Sequence, residues 1–220
     1  MAKSKRASKR KARKSANRRQ KVIQISVIGL VIVIASAAWI TSLPPDVPPL
    51  SEERLAVIQS RGPGNARVTI TEYGDYNCPS CKIYHELGII QQVLDDFPDD
   101  VRFVFRHFPI ITPDSPELAE AAECAADQGR FWDLHDILFT FGPSRPSDVV
   151  DYANQIGLDQ TTFETCVDSR QYSELVNEQL REAFGFGFRG TPSFLINETV
   201  LAGPPSYEQL RSIVESILTS

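Results

Sequence analysis

Cysteine and histidine are scarce in this 220-residue chain, with four of the first and three of the second. Only Cys78 and Cys81 lie close together; Cys124 and Cys166 stand apart from them and from each other. A structural zinc site wants four ligands, usually as two close pairs. The nearest set here, Cys78, Cys81 and His85, stops at three, so zinc is disfavoured. No internal repeat runs through the chain, which excludes a solenoid. Acids are absent from residues 1–21, a segment that carries eleven of the 23 Lys and Arg. The rest of the chain therefore sets 12 basic residues against all 28 acidic ones. So acidic a body argues against nucleic acid as a partner. Charge of either sign is missing from Val22–Leu43, a mostly apolar run of 22 residues.

A bilayer core is spanned by ~20 such residues in a helix. The basic segment before the run should stay in the cytoplasm, and the acidic remainder should be exported. Residues 1–21 thus read as a cytoplasmic tail and 22–43 as a signal-anchor. Ala35-Ser36-Ala37 also fits a small-residue cleavage pattern, which leaves signal-peptide removal as the alternative. Trp39 suits a membrane interface and favours retention. The prolines of Leu43–Pro49 make a stiff spacer. Ser51-Glu52-Glu53 opens a short helix, which Gly62-Pro63-Gly64 ends. Residues 44–61 are then a linker with a short helix, and 62–220 a folded domain large enough for one core.

Within that domain, Arg67–Tyr73 alternates around β-branched residues as a strand. Ile83, Leu87, Ile90 and Leu94 recur at three- and four-residue spacing and predict one helix from Pro79 to Asp96. Val101–Phe108 is a second strand, and the strand–helix–strand order implies a parallel pair. Ser115–Phe139 has Ala and Leu at helical spacing behind a Ser-Pro-Glu start. Further helices are predicted near 146–156, 160–169 and 173–184. Strands return at Ser193–Ile196 and Thr199–Ala202. A last helix covers Ser206–Leu218, with Leu210, Ile213, Val214 and Ile217 facing the core. His107 and His135 read as packing residues of a strand and a helix, and Phe131, Trp132 and Phe139 as helical core. Phe184-Gly185-Phe186-Gly187-Phe188 reads either as an apolar rim or as packing near the following loop.

Cys78-Pro79-Ser80-Cys81 falls at the strand–helix junction. Two cysteines three apart at a helix start can form a small reversible disulfide. Cys78 sits where unpaired backbone N–H groups and the helix dipole stabilise a thiolate. A low-pKa thiolate is a competent nucleophile and a good leaving group in thiol–disulfide exchange. Redox chemistry is therefore the first expectation. In an oxidising compartment Cys124 and Cys166 either form a second, structural disulfide or remain two buried thiols that pack like small apolar residues.

The chain resembles the thioredoxin superfamily and, more narrowly, the DsbA-like thiol–disulfide oxidoreductases. The residues that carry the resemblance are Ala66–Glu72 leading through Gly74-Asp75-Tyr76 into Cys78-Pro79-Ser80-Cys81, then Phe105-Arg106-His107-Phe108-Pro109, Cys124–Trp132 and Gly190-Thr191-Pro192-Ser193-Phe194. The resemblance implies an α/β, thioredoxin-like fold with a helical subdomain inserted at about 113–184, here preceded by a transmembrane helix. It implies a cis Pro192, with Thr191 offering its backbone to an extended substrate. Cys78 corresponds to the nucleophile and Cys81 to the resolving partner. Glu72 corresponds to a buried acid that relays protons or tunes the thiols, with Arg106 as a candidate partner; the alternative for Glu72 is an outward-facing strand residue. Family members that oxidise strongly carry Pro-His between the cysteines. Pro-Ser supplies no positive charge, so a milder oxidant is implied. Phe188 replaces a small or branched aliphatic residue before the Gly-Thr-Pro.

The implied activity is donation of the Cys78–Cys81 disulfide to reduced exported proteins, with no soluble cofactor. Re-oxidation would come from a membrane quinone-linked partner of the DsbB or vitamin K epoxide reductase type. A reductase or isomerase of the same fold, or a non-catalytic binding or chaperone module, are the alternatives.

Overall fold

The computed structural model describes residues 59–142 and 144–220. The basic tail, the apolar run at 22–43 and the linker with its short helix up to residue 58 lie outside the described residues. Among the described residues no helix is long and apolar enough to cross a membrane.

Strand formation follows the β-branched segments. The sheet holds β1 (Ser60–Arg61), β2 (Val68–Gly74), β3 (Val101–His107), β4 (Ser193–Ile196) and β5 (Thr199–Ala202), in the order β1-β3-β2-β4-β5. β2 and β3 are parallel, with Val68 beside Val101 and Glu72 beside Phe105; the other pairings are antiparallel. The expected parallel pair is therefore present. β1 lies ahead of the boundary drawn at residue 62. It is too short to show a period of its own and forms by pairing with Phe103 and Val104.

Between β2 and β3 the chain forms two helices, α1 (Pro79–Glu86) and α2 (Ile89–Asp96), where one was expected. Gly88 takes φ +63, a left-handed conformation that glycine adopts without steric cost. The kink resets the helical phase. α1 turns Cys81 and Tyr84 to the core, which leaves Ile83 and Leu87 57 % and 58 % exposed, while α2 buries Val93. The 115–139 run also divides, into α3 (Ser115–Ala126) and α4 (Phe131–Phe141), around Gly129 at φ +71. The N–H groups of Gly129 and Arg130 bond back to Ala126 O and Ala125 O and satisfy the end of α3.

Three more helices, α5 (Pro146–Gln155), α6 (Gln160–Asp168) and α7 (Ser173–Gly185), complete the block inserted before β4. Beyond the apolar core it shares with α3, the block is tied to that helix covalently and ionically. A disulfide joins Cys124 of α3 to Cys166 of α6. Arg170 donates two hydrogen bonds to the buried Glu120, at 2.6 and 2.7 Å. The closing helix α8 (Tyr207–Thr219) is capped by Ser206, whose hydroxyl accepts the Gln209 N–H. Leu210 and Val214 are buried, and Ile213 and Ile217 pack against the core.

The strand alternation sorts the sheet's faces. Val68, Ile70, Phe103 and Phe105 join the main core with Tyr84, Phe131, Leu134 and Phe139. Tyr73 joins a smaller cluster with Phe108, Ala183 and Phe188 on the side where α7 lies.

Candidate active site

At the end of β2, Gly74 lets the Phe105 ring pack directly against the backbone. A Cβ there would lie 2.6 Å from the Phe105 ring. Asp75 then fixes the loop. Its carboxylate accepts the Asn77 N–H and the Ser115 hydroxyl on one oxygen, and the N–H groups of Ile110 and Ile111 on the other, all at 2.8 Å. Asn77 extends the tie: its amide donates to Thr112 Oγ1 at 2.9 Å and its carbonyl accepts the Ser144 N–H at 2.9 Å. Tyr76 packs among Phe105, His135 and Phe139, with its hydroxyl 3.2 Å from His135 Nδ1. The site roles of Asp75 and Asn77 were not drawn from the sequence. Aspartate two residues before a backbone donor it can reach is the signal that marks such a turn.

The loop delivers Cys78 to the N-cap of α1, with Pro79 as the first helical residue. Both active-pair cysteines are buried free thiols. The Thr191–Pro192 peptide bond is cis. The Thr191 carbonyl accepts from Cys78 Sγ at 3.2 Å, which brings the two segments together across 113 positions. The Thr191 hydroxyl is buried with no hydrogen-bond partner among the described residues, which leaves it free to donate to a Cys78 thiolate.

The two thiols differ sharply in acidity. A hydrogen bond from Cys81 is the largest influence on Cys78 and opposes its partial burial. The Thr191 side chain and the N–H groups of Cys81 and Ser80 add to it, and together they lower the Cys78 pKa to about 6. Burial pushes the Cys81 thiol far above the ordinary range, and hydrogen bonding to Cys78 and the charge of Glu72 push the same way.

Glu72 lies on the core face of β2, only 6 % exposed, so the outward-facing alternative does not hold. Burial, then repulsion from Cys78, raises its carboxyl to about 8. Arg106 stands beside Tyr73 in the register, one residue out of phase with Glu72, and so belongs to the opposite face of the sheet. The expected Glu72–Arg106 pair is therefore absent. His107 is buried against Glu123, 2.7 Å away. His85 converges with His135 and Asp136, their donor atoms lying within 4.8 Å of one another. The Phe184–Phe188 segment divides. Phe188 is buried 5.3 Å from the Tyr73 ring, while Phe184 and Phe186 are 43 % and 37 % exposed.

A family model described as thioredoxin matches residues 58–216. Among curated relatives, the chain is 36 % identical over 159 residues to the Na(+)/H(+) antiporter NhaA 1 of Salinispora arenicola, covering 71 % of this chain and 24 % of that protein. It is 33 % identical over 170 residues to the NhaA antiporter of Herminiimonas arsenicoxydans, covering 77 % and 26 %. The chain thus spans about a quarter of the length of these relatives. Among solved structures it is similar to a thioredoxin-like oxidoreductase from Silicibacter pomeroyi, with 26 % identity, a TM-score of 0.67, and coverage of 78 % of this chain and 99 % of that one. Oxidised BdbD from Bacillus subtilis shares the fold at 24 % identity and a TM-score of 0.68, covering 79 % and 97 %. So does alpha-DsbA2 from Wolbachia pipientis, at 22 % identity and 0.64, covering 76 % and 100 %.

Proposed function

The chain belongs to the thioredoxin family, and from that premise we propose that it is an extracytoplasmic dithiol oxidase of the DsbA-like form. The observation that carries the proposal is the unequal cysteine pair. Cys78 is held near a pKa of about 6 beside the Thr191–Pro192 loop, and Cys81 is kept protonated behind it.

In the reaction, a substrate thiolate attacks Cys78 Sγ of the disulfide. The Cys78–Cys81 bond breaks, and Cys81 leaves and takes up a proton. The substrate's second thiolate then attacks the substrate sulfur of the mixed disulfide and releases Cys78 as a thiolate. Two electrons pass to the cysteine pair, which is itself the electron carrier. Thr191 presents its backbone to the extended substrate, and Pro192 shapes that loop. Glu72 exchanges the proton of Cys81.

The substrates are reduced exported proteins. Residues 22–43 anchor the chain in the membrane, with 1–21 in the cytoplasm. A quinone-linked membrane protein of the DsbB or vitamin K epoxide reductase type restores the disulfide. The Pro-Ser pair between the cysteines places no positive charge by the thiolate and makes the protein a moderate oxidant.

The test is the reduction potential of the purified chain, equilibrated in glutathione buffers. A value of roughly −120 to −180 mV supports disulfide donation, and one near roughly −270 mV assigns the chain to the reductases instead.

A further inference from the structure

A cavity of about 210 Å³ is lined by residues of β1, β2, β3, α1, α2 and α4, the helix α1 being the one that carries Cys81. Its lining includes the buried Glu72, Tyr84 and His135 and the partly exposed Arg61, His85 and Asp136. The volume accommodates several water molecules, and its walls are polar enough to hold them. The Tyr84 hydroxyl is buried there without a partner among the described residues. At the outer end His85 is only partly buried, with its Nε2 3.9 Å from Asp136 Oδ1. Asp136 is in turn held by Arg61 at 3.1 Å. Inside, Glu72 is close enough for its charge to raise the pKa of both Cys81 and Tyr84.

We propose that this cavity is the proton route between Cys81 and solvent, with Glu72 as its inner station and His85, steadied by Asp136, as its outer one. The proposal rests on the oxidoreductase reading and deepens it. When substrate attacks Cys78, the departing Cys81 sulfur takes a proton from Glu72. The Glu72 carboxylate then regains one from solvent through the cavity water and His85. The substrate gives up two protons in all; Cys81 keeps one, and the other goes to solvent because Cys78 remains a thiolate. Re-oxidation runs the same path outward.

An imidazole suits the outer station because it can give up one proton and regain another by switching tautomers. The charged and titratable groups that face His85 are Asp136 and His135 on α4, Arg61 on β1, and Lys82 and Glu86 on α1 itself. Burial holds His85 below its usual pKa, so near neutral pH it is mostly uncharged and ready to accept a proton.

The experiment is stopped-flow reduction of the full-length oxidised chain by a model dithiol, in dilute buffer, for wild type and His85→Ala. The variant is expected to be about tenfold or more slower, in keeping with the usual weight of a positioned proton-transfer group. Added imidazole should restore its rate while leaving wild type unchanged. The equilibrium with glutathione should stay within about twofold of wild type, because a shuttle alters rates and not end states. Glu72→Gln should be slow and insensitive to imidazole, and the double variant no slower than Glu72→Gln alone, since the two stations act in series.

A His85→Ala rate equal to wild type at every buffer concentration would overturn the proposal. A slow His85→Ala that imidazole fails to restore would overturn it too, by marking a structural role. Absence of any redox transition in wild type would instead remove the oxidoreductase reading itself.

Discussion

Replacing Glu72 by Gln should stabilise the protein at neutral pH and leave it unchanged in acid. The carboxyl titrates at about 8 in the fold against an ordinary value of 4.5. Between those pH values the folded state binds more protons than the unfolded state, so stability falls as pH rises. Each tenfold change in the acid dissociation constant between the two states is worth about 1.4 kcal/mol. The loss is therefore about 3 kcal/mol by pH 7 and approaches about 5 kcal/mol above pH 8. Glutamine resembles the protonated acid in shape and charge and escapes the whole penalty. At pH 4 both side chains are neutral and the two proteins should unfold alike. For a domain of this size the gain at pH 7 corresponds to a Tm rise of about 6–12 °C. The assay is thermal and urea unfolding of the full-length wild type and variant at pH 4, 7 and 9, in both redox forms. Repulsion from Cys78 adds to burial only when that sulfur is a thiolate. The gain should accordingly be larger in the reduced protein. A stability difference that is the same at pH 4 and pH 9, or a variant less stable than wild type at pH 9, would refute the reasoning.

Other perturbations follow from the same geometry. The Cys124–Cys166 disulfide closes a loop of 42 positions, and Cys124→Ser with Cys166→Ser should lower stability by about 4 kcal/mol in the chain-entropy model; an unchanged melting temperature would contradict this. Alkylation of the reduced protein by iodoacetamide should rise through pH 6 and level off well before pH 9, because Cys78 reacts as a thiolate with a pKa of about 6, while Cys81 stays unmodified. Thr191→Val removes the hydroxyl that supports that thiolate and should raise the titration midpoint by about one pH unit, read from thiolate absorbance. Asp75→Ala strands three backbone donors and the Ser115 hydroxyl, and should reduce stability by about 3 kcal/mol in denaturant titrations.

Much of the fold was legible because its signals are local. β-branched alternation marks β2 and β3, and the Cys-Pro-Ser-Cys junction places the thiols at a helix start. Strand parity also held an answer about Glu72: it is in phase with Val68 and Ile70, and Tyr73 with Thr69 and Thr71. The same parity separates Glu72 from Arg106. The break at Gly88 was hidden because a glycine within a helical pattern is compatible with either continuation or a kink. The stripe from Ile83 to Leu94 assumed continuation, but the left-handed turn gives each helix its own phase, so Ile90 and Leu94 pack on the core while Ile83 and Leu87 face solvent. β1 is two residues long and exists only through its pairing with β3. The cavity was beyond reach for a related reason: its walls come from β1, β2, β3, α1, α2 and α4, and no short segment carries its pattern.

The burial of Glu72 gains its sense from the chemistry of Cys81. In disulfide donation Cys81 is the sulfur that leaves, and leaving is easier for a thiol of low pKa. Cys81 is the opposite case, because burial raises its pKa. A fixed positive charge beside it would stabilise the departing thiolate, but the core-facing strand offers none: Arg106 lies on the other face. What stands near is an acid that keeps its proton up to a pH of about 8. On the proposed reaction, the site stabilises the leaving sulfur by supplying a proton, and the cavity behind Glu72 replaces that proton from solvent. The stability that Glu72→Gln should recover is the cost of keeping an ionisable acid in that position. A neutral amide there cannot exchange the proton, so the variant that folds most firmly should also be the slower oxidant.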